Sequence, residues 1–164
     1  MYIDKSLMYI FLFMFFGGTF YKFSKIHRPE KLHGKLEGFL EFKSNSIIID
    51  KDEYLLDEIE KIEIVNNDYY GKSTGSSRGF DSNFSNGVDN RLILILKNKQ
   101  RIQCMFELYY EYDMGKVDDI LINYYLAGKL NFDQLLKIFK VKGKEEIEDF
   151  KQSIENATTT NSSL

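Results

Sequence analysis

The stretch RLILILKNKQRIQCMFELY, residues 91–109, predicts two β-strands joined by a tight turn. Branched and aromatic side chains dominate residues 91–97 and 101–109, and such side chains favour the pleated, half-buried surface of a sheet. Asn98-Lys99 lies between the two runs and supplies the turn. We therefore expect an antiparallel hairpin in the middle of the chain.

The segment before this hairpin has the period-two pattern of further strands. LEGFLEF (residues 36–42) places its apolar side chains mainly on one strand face, and SIIID (residues 46–50) is a short β-branched run. Residues 54–56 and 59–65 add two more short apolar runs. Together with the hairpin, these segments predict five to seven antiparallel strands.

Residues 67–90 are dense in Gly, Ser and Asn and have little periodicity, which predicts a long loop. Four aromatic residues interrupt this polar segment, namely Tyr69, Tyr70, Phe80 and Phe84. Aromatic side chains in a polar loop can contact a protein partner. They can also fold back onto the sheet as packing residues, and both interpretations stay open.

The last third of the chain has helical periodicity. Residues 116–126 form an apolar stripe, and Gly128 is suited to the position that follows a helix C-terminus. Asn131 and Gln134 have the spacing of a capping box at the start of a second helix. A last amphipathic helix is expected from about Lys144 to Ile154.

Short strands followed by helices predict an α+β domain. The element order resembles a pleckstrin-homology-like (PH-like) barrel, an antiparallel β-barrel or sheet capped by a helix. The matching features are the strands around Leu40 and Ile48, the segment LDEIEKIEI (residues 56–64), the central hairpin and the helix over residues 116–126. The resemblance covers roughly residues 34–127 and carries over no binding residues.

The chain also resembles uncharacterised bacterial membrane-anchored proteins that contain such a domain. DYYGK (residues 68–72) and SNGVDN (residues 85–90) are the segments that prompt this comparison. The resemblance implies a membrane anchor joined to the PH-like domain.

Sixteen residues without a charge separate Lys5 from Lys22, and they include LMYIFLFMFFGG, residues 7–18. Sixteen helical residues span about 24 Å, less than a hydrocarbon core of about 30 Å, although both lysines can extend to the interfaces. We expect a transmembrane helix over residues 1–24. A cleaved signal peptide and a helix buried or dimerised in a soluble protein are the alternatives.

Charge is distributed unevenly along the chain. Residues 1–35 carry six Lys/Arg and two Asp/Glu, whereas residues 36–164 carry sixteen Lys/Arg and twenty-three Asp/Glu. The basic linker over residues 25–34 follows the apolar stretch, and positive loops favour the cytoplasmic side, which predicts a cytoplasmic C-terminal domain at the cell membrane. The acidic body argues against nucleic acid as a partner.

The sequence contains no convincing catalytic, cofactor or metal site, so we expect neither catalytic activity nor a cofactor. Gly71-Lys72-Ser73 lacks the earlier glycine and the following helix of a phosphate-binding loop. His27 and His33 are two ligands without a third nearby. Cys104 lies in the register of a buried strand residue.

The predicted organisation has five parts: a transmembrane helix (1–24), a basic linker (25–34), a PH-like domain with its helix (35–128), C-terminal helices (129–154) and a disordered tail (155–164). The expected function is a membrane-tethered cytoplasmic interaction module that binds a protein or a lipid headgroup. The alternative is a soluble or exported ligand-binding domain, with the apolar segment cleaved or buried.

Overall fold

The computed structural model describes residues 5–26, 29, 32, 38–75 and 84–161 of the 164-residue chain, with the backbone alone for 22–26 and 157–161. The helices are α1 (Lys5–Ile26), α2 (Asp118–Leu126), α3 (Phe132–Ile138) and α4 (Lys144–Asn161), and a 3₁₀ helix over Asp113–Val117 precedes α2. The strands are β1 (Leu40–Phe42), β2 (Ser46–Ile49), β3 (Asp52–Leu55), β4 (Ile59–Val65), β5 (Tyr70–Ser73), β6 (Phe84–Asn86), β7 (Asn90–Leu96) and β8 (Arg101–Phe106).

The strands form three antiparallel sheets. The first has the order β1-β2-β3, the second has the order β4-β7-β8, and β5 pairs with β6 as a separate hairpin. The predicted central hairpin is confirmed as β7 and β8, in which Leu92 is opposite Cys104. The turn between them holds Lys99 in a left-handed conformation, at φ 69°.

The hydrophobic core lies between the first two sheets and the C-terminal helices. Alternate residues of β4 and β7 face it, and Ile62, Leu92 and Leu94 have no exposed surface. The helices contribute Leu121 and Leu135, which are also fully buried. Because both β strands and helices supply this single cluster, the sheets and helices α2 and α3 stabilise one another.

The predicted helix ends agree with the structure at two positions. The Asn131 side chain accepts a hydrogen bond from the Gln134 backbone, and the Gln134 side chain accepts one from the Asn131 backbone, which confirms the capping box. Gly128 follows α2 with φ 72°, the conformation expected after a helix C-terminus.

The predicted closed barrel is wrong. The three sheets are separate in the described residues, so the α+β class holds while the PH-like closure does not. Short turns pair strands that are neighbours in the sequence into antiparallel hairpins. The period-two pattern does not specify which edge strands of these sheets pair with strands far away in the sequence.

The predicted transmembrane helix and the single-pass location at the cell membrane are corrected as well. Among the described residues, no helix combines the length and the apolar character needed to cross a bilayer. Helix α1 contains the apolar stretch, but its charge-free part is only sixteen residues long, and a span needs about 20. The side chains of residues 5–21 in α1 are largely exposed, with Phe13 at 82% and Phe20 at 79%.

Two further segments differ from expectation. The loop predicted over residues 67–90 contains strands β5 and β6, so the described strands number eight, against the five to seven expected. The last helix begins at Lys144 as predicted but continues to Asn161, into the segment expected to be disordered. Residues 155–161 contain neither Gly nor Pro, so no residue in them breaks the helix.

Candidate ligand-binding pocket

The four aromatic residues predicted as partner contacts are in different environments. Tyr69 packs against the hydrophobic core, whereas Tyr70 is 42% exposed and its ring stacks on that of Tyr109. Phe84 is half-buried in β6, and Phe80 lies outside the described residues. A partner contact by the four together stays a prediction, and Tyr70 is the one that the structure places on the surface beside other aromatic rings.

A buried polar network holds the hairpin of β5 and β6 in place. The Asp68 carboxylate accepts hydrogen bonds from the Ser85 hydroxyl (2.6 Å) and from the Asp89 backbone (3.1 Å). The Asn90 side chain is fully buried and accepts a hydrogen bond from the Asp68 backbone at 2.9 Å. The motifs around residues 68 and 90 therefore have a structural role, since buried polar groups need such partners. They also fix the start of β5, which carries Lys72.

A cavity of about 610 Å³ lies between the end of β4, strand β5 and the C-terminal end of α3. Four lysines line it, namely Lys72, Lys137, Lys140 and Lys142, and we call this cavity the lysine pocket. Glu111 and Asp133 are its carboxylates, and Ile64 and Leu136 are among its apolar residues. Lys72 and Lys140 are half-buried, whereas Lys137 and Lys142 are exposed.

Asn66 connects strand β4 to the end of helix α3. Its buried side chain donates a hydrogen bond to the Ile138 carbonyl at 2.8 Å. Its own carbonyl accepts a hydrogen bond from the Lys140 ammonium at 2.7 Å. The position of Lys140 is thereby fixed from both sides, by the backbone after α3 and by the end of β4.

The end of α3 is a Schellman motif with a lysine at the position that usually holds glycine. The Lys140 backbone donates to the Lys137 carbonyl at 3.4 Å, and the Val141 backbone donates to the Leu136 carbonyl at 3.0 Å. Lys140 has φ 60°, a left-handed conformation that costs a non-glycine residue about 1–2 kcal/mol. The fold therefore holds this ammonium in the pocket at some cost in backbone energy.

The ammonium groups of Lys72 and Lys140 converge on Asn67. Lys72 donates to the Asn67 backbone carbonyl, and Lys140 lies 3.3 Å from the Asn67 side-chain oxygen. Burial lowers the pKa of Lys140, and the charges of Lys72 and Lys142 lower it further, against an opposing effect of Glu111. In the described part of the chain, none of the four pocket lysines forms an ion pair.

The motifs considered in the sequence have no catalytic arrangement in the described residues. Gly71-Lys72-Ser73 lies in strand β5 rather than before a helix. Burial raises the pKa of the Cys104 thiol, which favours the unreactive protonated form. No group of three or more His, Cys, Asp or Glu in the described ranges is placed to hold a metal ion, and His27 and His33 lie outside those ranges.

Sequence analysis did not find the lysine pocket. A partial signal was present, because Asp133, Lys137 and Lys140 recur at the i, i+4, i+7 spacing of one helix face. Lys72 lies far away in the sequence, in a segment interpreted as a loop. Only the tertiary structure brings Lys72 to the same cavity as the lysines at the end of α3.

Comparison of the chain with protein families, with characterised proteins and with solved structures finds no match. The resemblance to PH-like membrane-anchored proteins therefore stays a prediction, and the function has to be argued from the pocket itself.

Proposed function

We propose that this chain is a non-catalytic ligand-binding domain whose ligand is a small anion held in the lysine pocket. The observation that carries the proposal is the convergence on one cavity of ammonium groups from separate elements, which donate to backbone carbonyls but form no ion pair among the described residues. Of the two functions expected from the sequence, the proposal follows the ligand-binding domain, and it includes no membrane tether.

The size of the cavity supports a small-molecule ligand. Its volume of about 610 Å³ lies within the range of roughly 300–1,000 Å³ that is usual for small-molecule sites. Apolar side chains such as Ile64 and Leu136 line part of the wall, so the ligand has an organic part or leaves room for water.

The charge of the pocket supports an anion. Four lysines against two carboxylates leave a net charge of +2, which complements a dianion such as a phosphate ester. Burial is the main reason why the pKa of Lys140 is lowered, and repulsion from the ammonium groups of Lys72 and Lys142 adds to it, against an opposing effect of Glu111. A bound anion offsets that repulsion and accepts charge-assisted hydrogen bonds from the ammonium groups. The free protein already holds these groups close together, and this arrangement contributes to the binding energy.

The test is titration calorimetry of the full chain with pyrophosphate as the probe. Replacing Lys140→Gly removes one ammonium, and glycine suits the left-handed backbone at this position. A charge-assisted hydrogen bond contributes about 1.5–3 kcal/mol, so the variant is expected to bind at least about tenfold more weakly.

Lys99→Gly is the matched control. Lys99 is also a left-handed lysine, at φ 69°, but its ammonium pairs with Glu60 at 2.6 Å in the turn between β7 and β8. The control is expected to bind pyrophosphate like the unaltered chain. Absence of binding by the unaltered chain, or equal losses in the two variants, would contradict the proposal.

A further inference from the structure

A second surface, separate from the four pocket lysines, carries exposed aromatic side chains. Tyr70 of β5 and two tyrosines after β8 lie side by side, and we call this surface the tyrosine patch; its members are Tyr70, Tyr109 and Tyr110. Their exposed fractions range from 42% to 63%. Tyrosine is enriched among the residues that dominate binding at protein interfaces.

The rings of the patch are held in a defined arrangement. Tyr70 and Tyr109 stack with ring centroids 5.1 Å apart, and Tyr110 meets Tyr109 edge to face at 4.8 Å. The Asp113 carboxylate accepts hydrogen bonds from the backbones of Tyr109 (3.1 Å) and Tyr110 (2.8 Å). The contacts already hold this backbone and these rings in place. Binding of a partner therefore costs this chain little conformational entropy in these groups.

The charge around the patch is acidic. Glu107 and Asp113 flank the tyrosines in the segment ELYYEYD, residues 107–113, and line one cavity together with Lys116, whereas Glu111 lines the lysine pocket. Lys116 pairs with Asp113 at 2.6 Å, which leaves Glu107 without this partner. Carboxylates beside aromatic faces are complementary to cations, which bind the ring faces and pair with the acids.

One cation of the chain already occupies part of the patch. The Lys116 ammonium lies 6.0 Å from the centroid of the Tyr110 ring while it pairs with Asp113. The hydrogen bond from Lys116 lowers the pKa of Asp113. Lys116 thus shows how a basic side chain can lie between a tyrosine face and a carboxylate at this surface.

We propose that the tyrosine patch binds an arginine- and lysine-rich segment of a protein partner. Arginine suits the site because its planar guanidinium stacks on aromatic rings and pairs with carboxylates. The proposal uses none of the pocket lysines, so it stands or fails independently of anion binding.

The test is fluorescence anisotropy of the full chain with a labelled peptide of alternating arginine and glycine. A glutamate peptide of equal length is the charge-reversed probe and is expected not to bind. Tyr110→Leu keeps bulk but removes the aromatic face, and it is expected to weaken binding of the arginine peptide about fivefold. Tyr9→Leu is the matched control, because Tyr9 is also exposed (65%) but lies in α1, and it is expected to leave binding unchanged.

Lys116→Met provides a second variant with the opposite expected sign. It frees Asp113 and the Tyr110 ring from the internal cation, so the arginine peptide is expected to bind about two- to fivefold more tightly. The proposal is overturned if the arginine peptide does not bind, if both peptides bind equally, or if Tyr110→Leu and Tyr9→Leu have the same affinity. Unchanged or weaker binding by Lys116→Met also counts against it.

Discussion

Gly87 and Gly71 have the same positive φ angle but differ in the atoms that surround them. Both have φ 79°. A Cβ atom at Gly87 would lie 2.4 Å from the Leu108 carbonyl oxygen and 2.5 Å from the Tyr70 nitrogen, whereas none of the described atoms lies within 4 Å of one at Gly71. A side chain at Gly71 would therefore meet only the cost of a left-handed backbone, whereas one at Gly87 would also meet a steric clash.

Replacing each glycine by alanine gives a direct comparison. Gly71→Ala is expected to lower the free energy of unfolding by about 1–2 kcal/mol, the cost of a side chain at positive φ. Gly87→Ala is expected to lower it by about 1–3 kcal/mol more, because backbone atoms have to move. Urea unfolding followed by circular dichroism measures both values, and equal losses would refute the clash.

Lys140 also gives anion binding a pH dependence. Burial and the neighbouring lysines hold its pKa below the ordinary 10.5, so this ammonium is lost earlier than an ordinary lysine as the pH rises. Because only the protonated form attracts an anion, affinity for sulfate is expected to fall as the pH rises, beginning below the pH at which an ordinary lysine loses its proton. Sulfate keeps its charge as the pH rises, so the change reports on the protein.

The control for the pH series is Lys140→Gly. Its weaker sulfate binding is expected to change less with pH than that of the unaltered chain. Calorimetric titrations at several pH values measure both series. If the unaltered chain and the variant have parallel pH profiles, Lys140 is not the titrating group.

At the scale of elements, helix α2 is joined to the first sheet by one buried hydroxyl. The Tyr124 hydroxyl lies 2.5 Å from the Lys43 carbonyl and 2.9 Å from the Ser46 carbonyl, at the turn between β1 and β2. Burial raises the pKa of Tyr124, so its hydroxyl remains a neutral donor throughout the neutral range. The helix thereby supplies a donor to the Lys43 carbonyl and a second contact to the Ser46 carbonyl, which also accepts a hydrogen bond from the Lys43 backbone at 2.9 Å.

Tyr124→Phe is expected to lower the free energy of unfolding by about 1–3 kcal/mol, because the Lys43 carbonyl loses its Tyr124 donor while the ring still fills the core. Tyr112→Phe is the control, since Tyr112 is 69% exposed, and its change is expected to stay within about 0.5 kcal/mol. Denaturant unfolding of both variants tests the difference. A Tyr124→Phe chain as stable as the control would show that the hydroxyl contributes nothing.

Contacts between residues close together in the chain can be predicted from the sequence. The hairpin of β7 and β8 and the capping box of α3 were both predictable, because each depends on residues close together in the chain. The pairing of β4 with β7 joins segments separated by the long loop, and periodicity alone does not specify such a partner. The short strands β5 and β6 were missed because their polar residues lack an apolar pattern.

For the molecule as a whole, no described side chain of helix α1 belongs to the hydrophobic core. The buried core cluster and the residues packed against it lie between Leu40 and Ile154 in the described part of the chain. A chain lacking residues 1–26 is therefore expected to unfold with a free energy within about 1 kcal/mol of that of the full chain, and to bind pyrophosphate with the same affinity. Urea unfolding and calorimetry of the shortened chain test this, and a large loss in either would show that α1 supports the domain.

Sequence patterns were enough to predict the α+β class, the central hairpin, the end of α2, the capping box of α3 and the start of α4. These features depend on period, propensity and capping, which act over a few residues. Tertiary structure alone decided that the sheets stay separate and that Lys72 joins Lys140 in one cavity. Both outcomes depend on long-range packing of β4, β5 and α3, and residues distant in the chain become neighbours only when the core has formed.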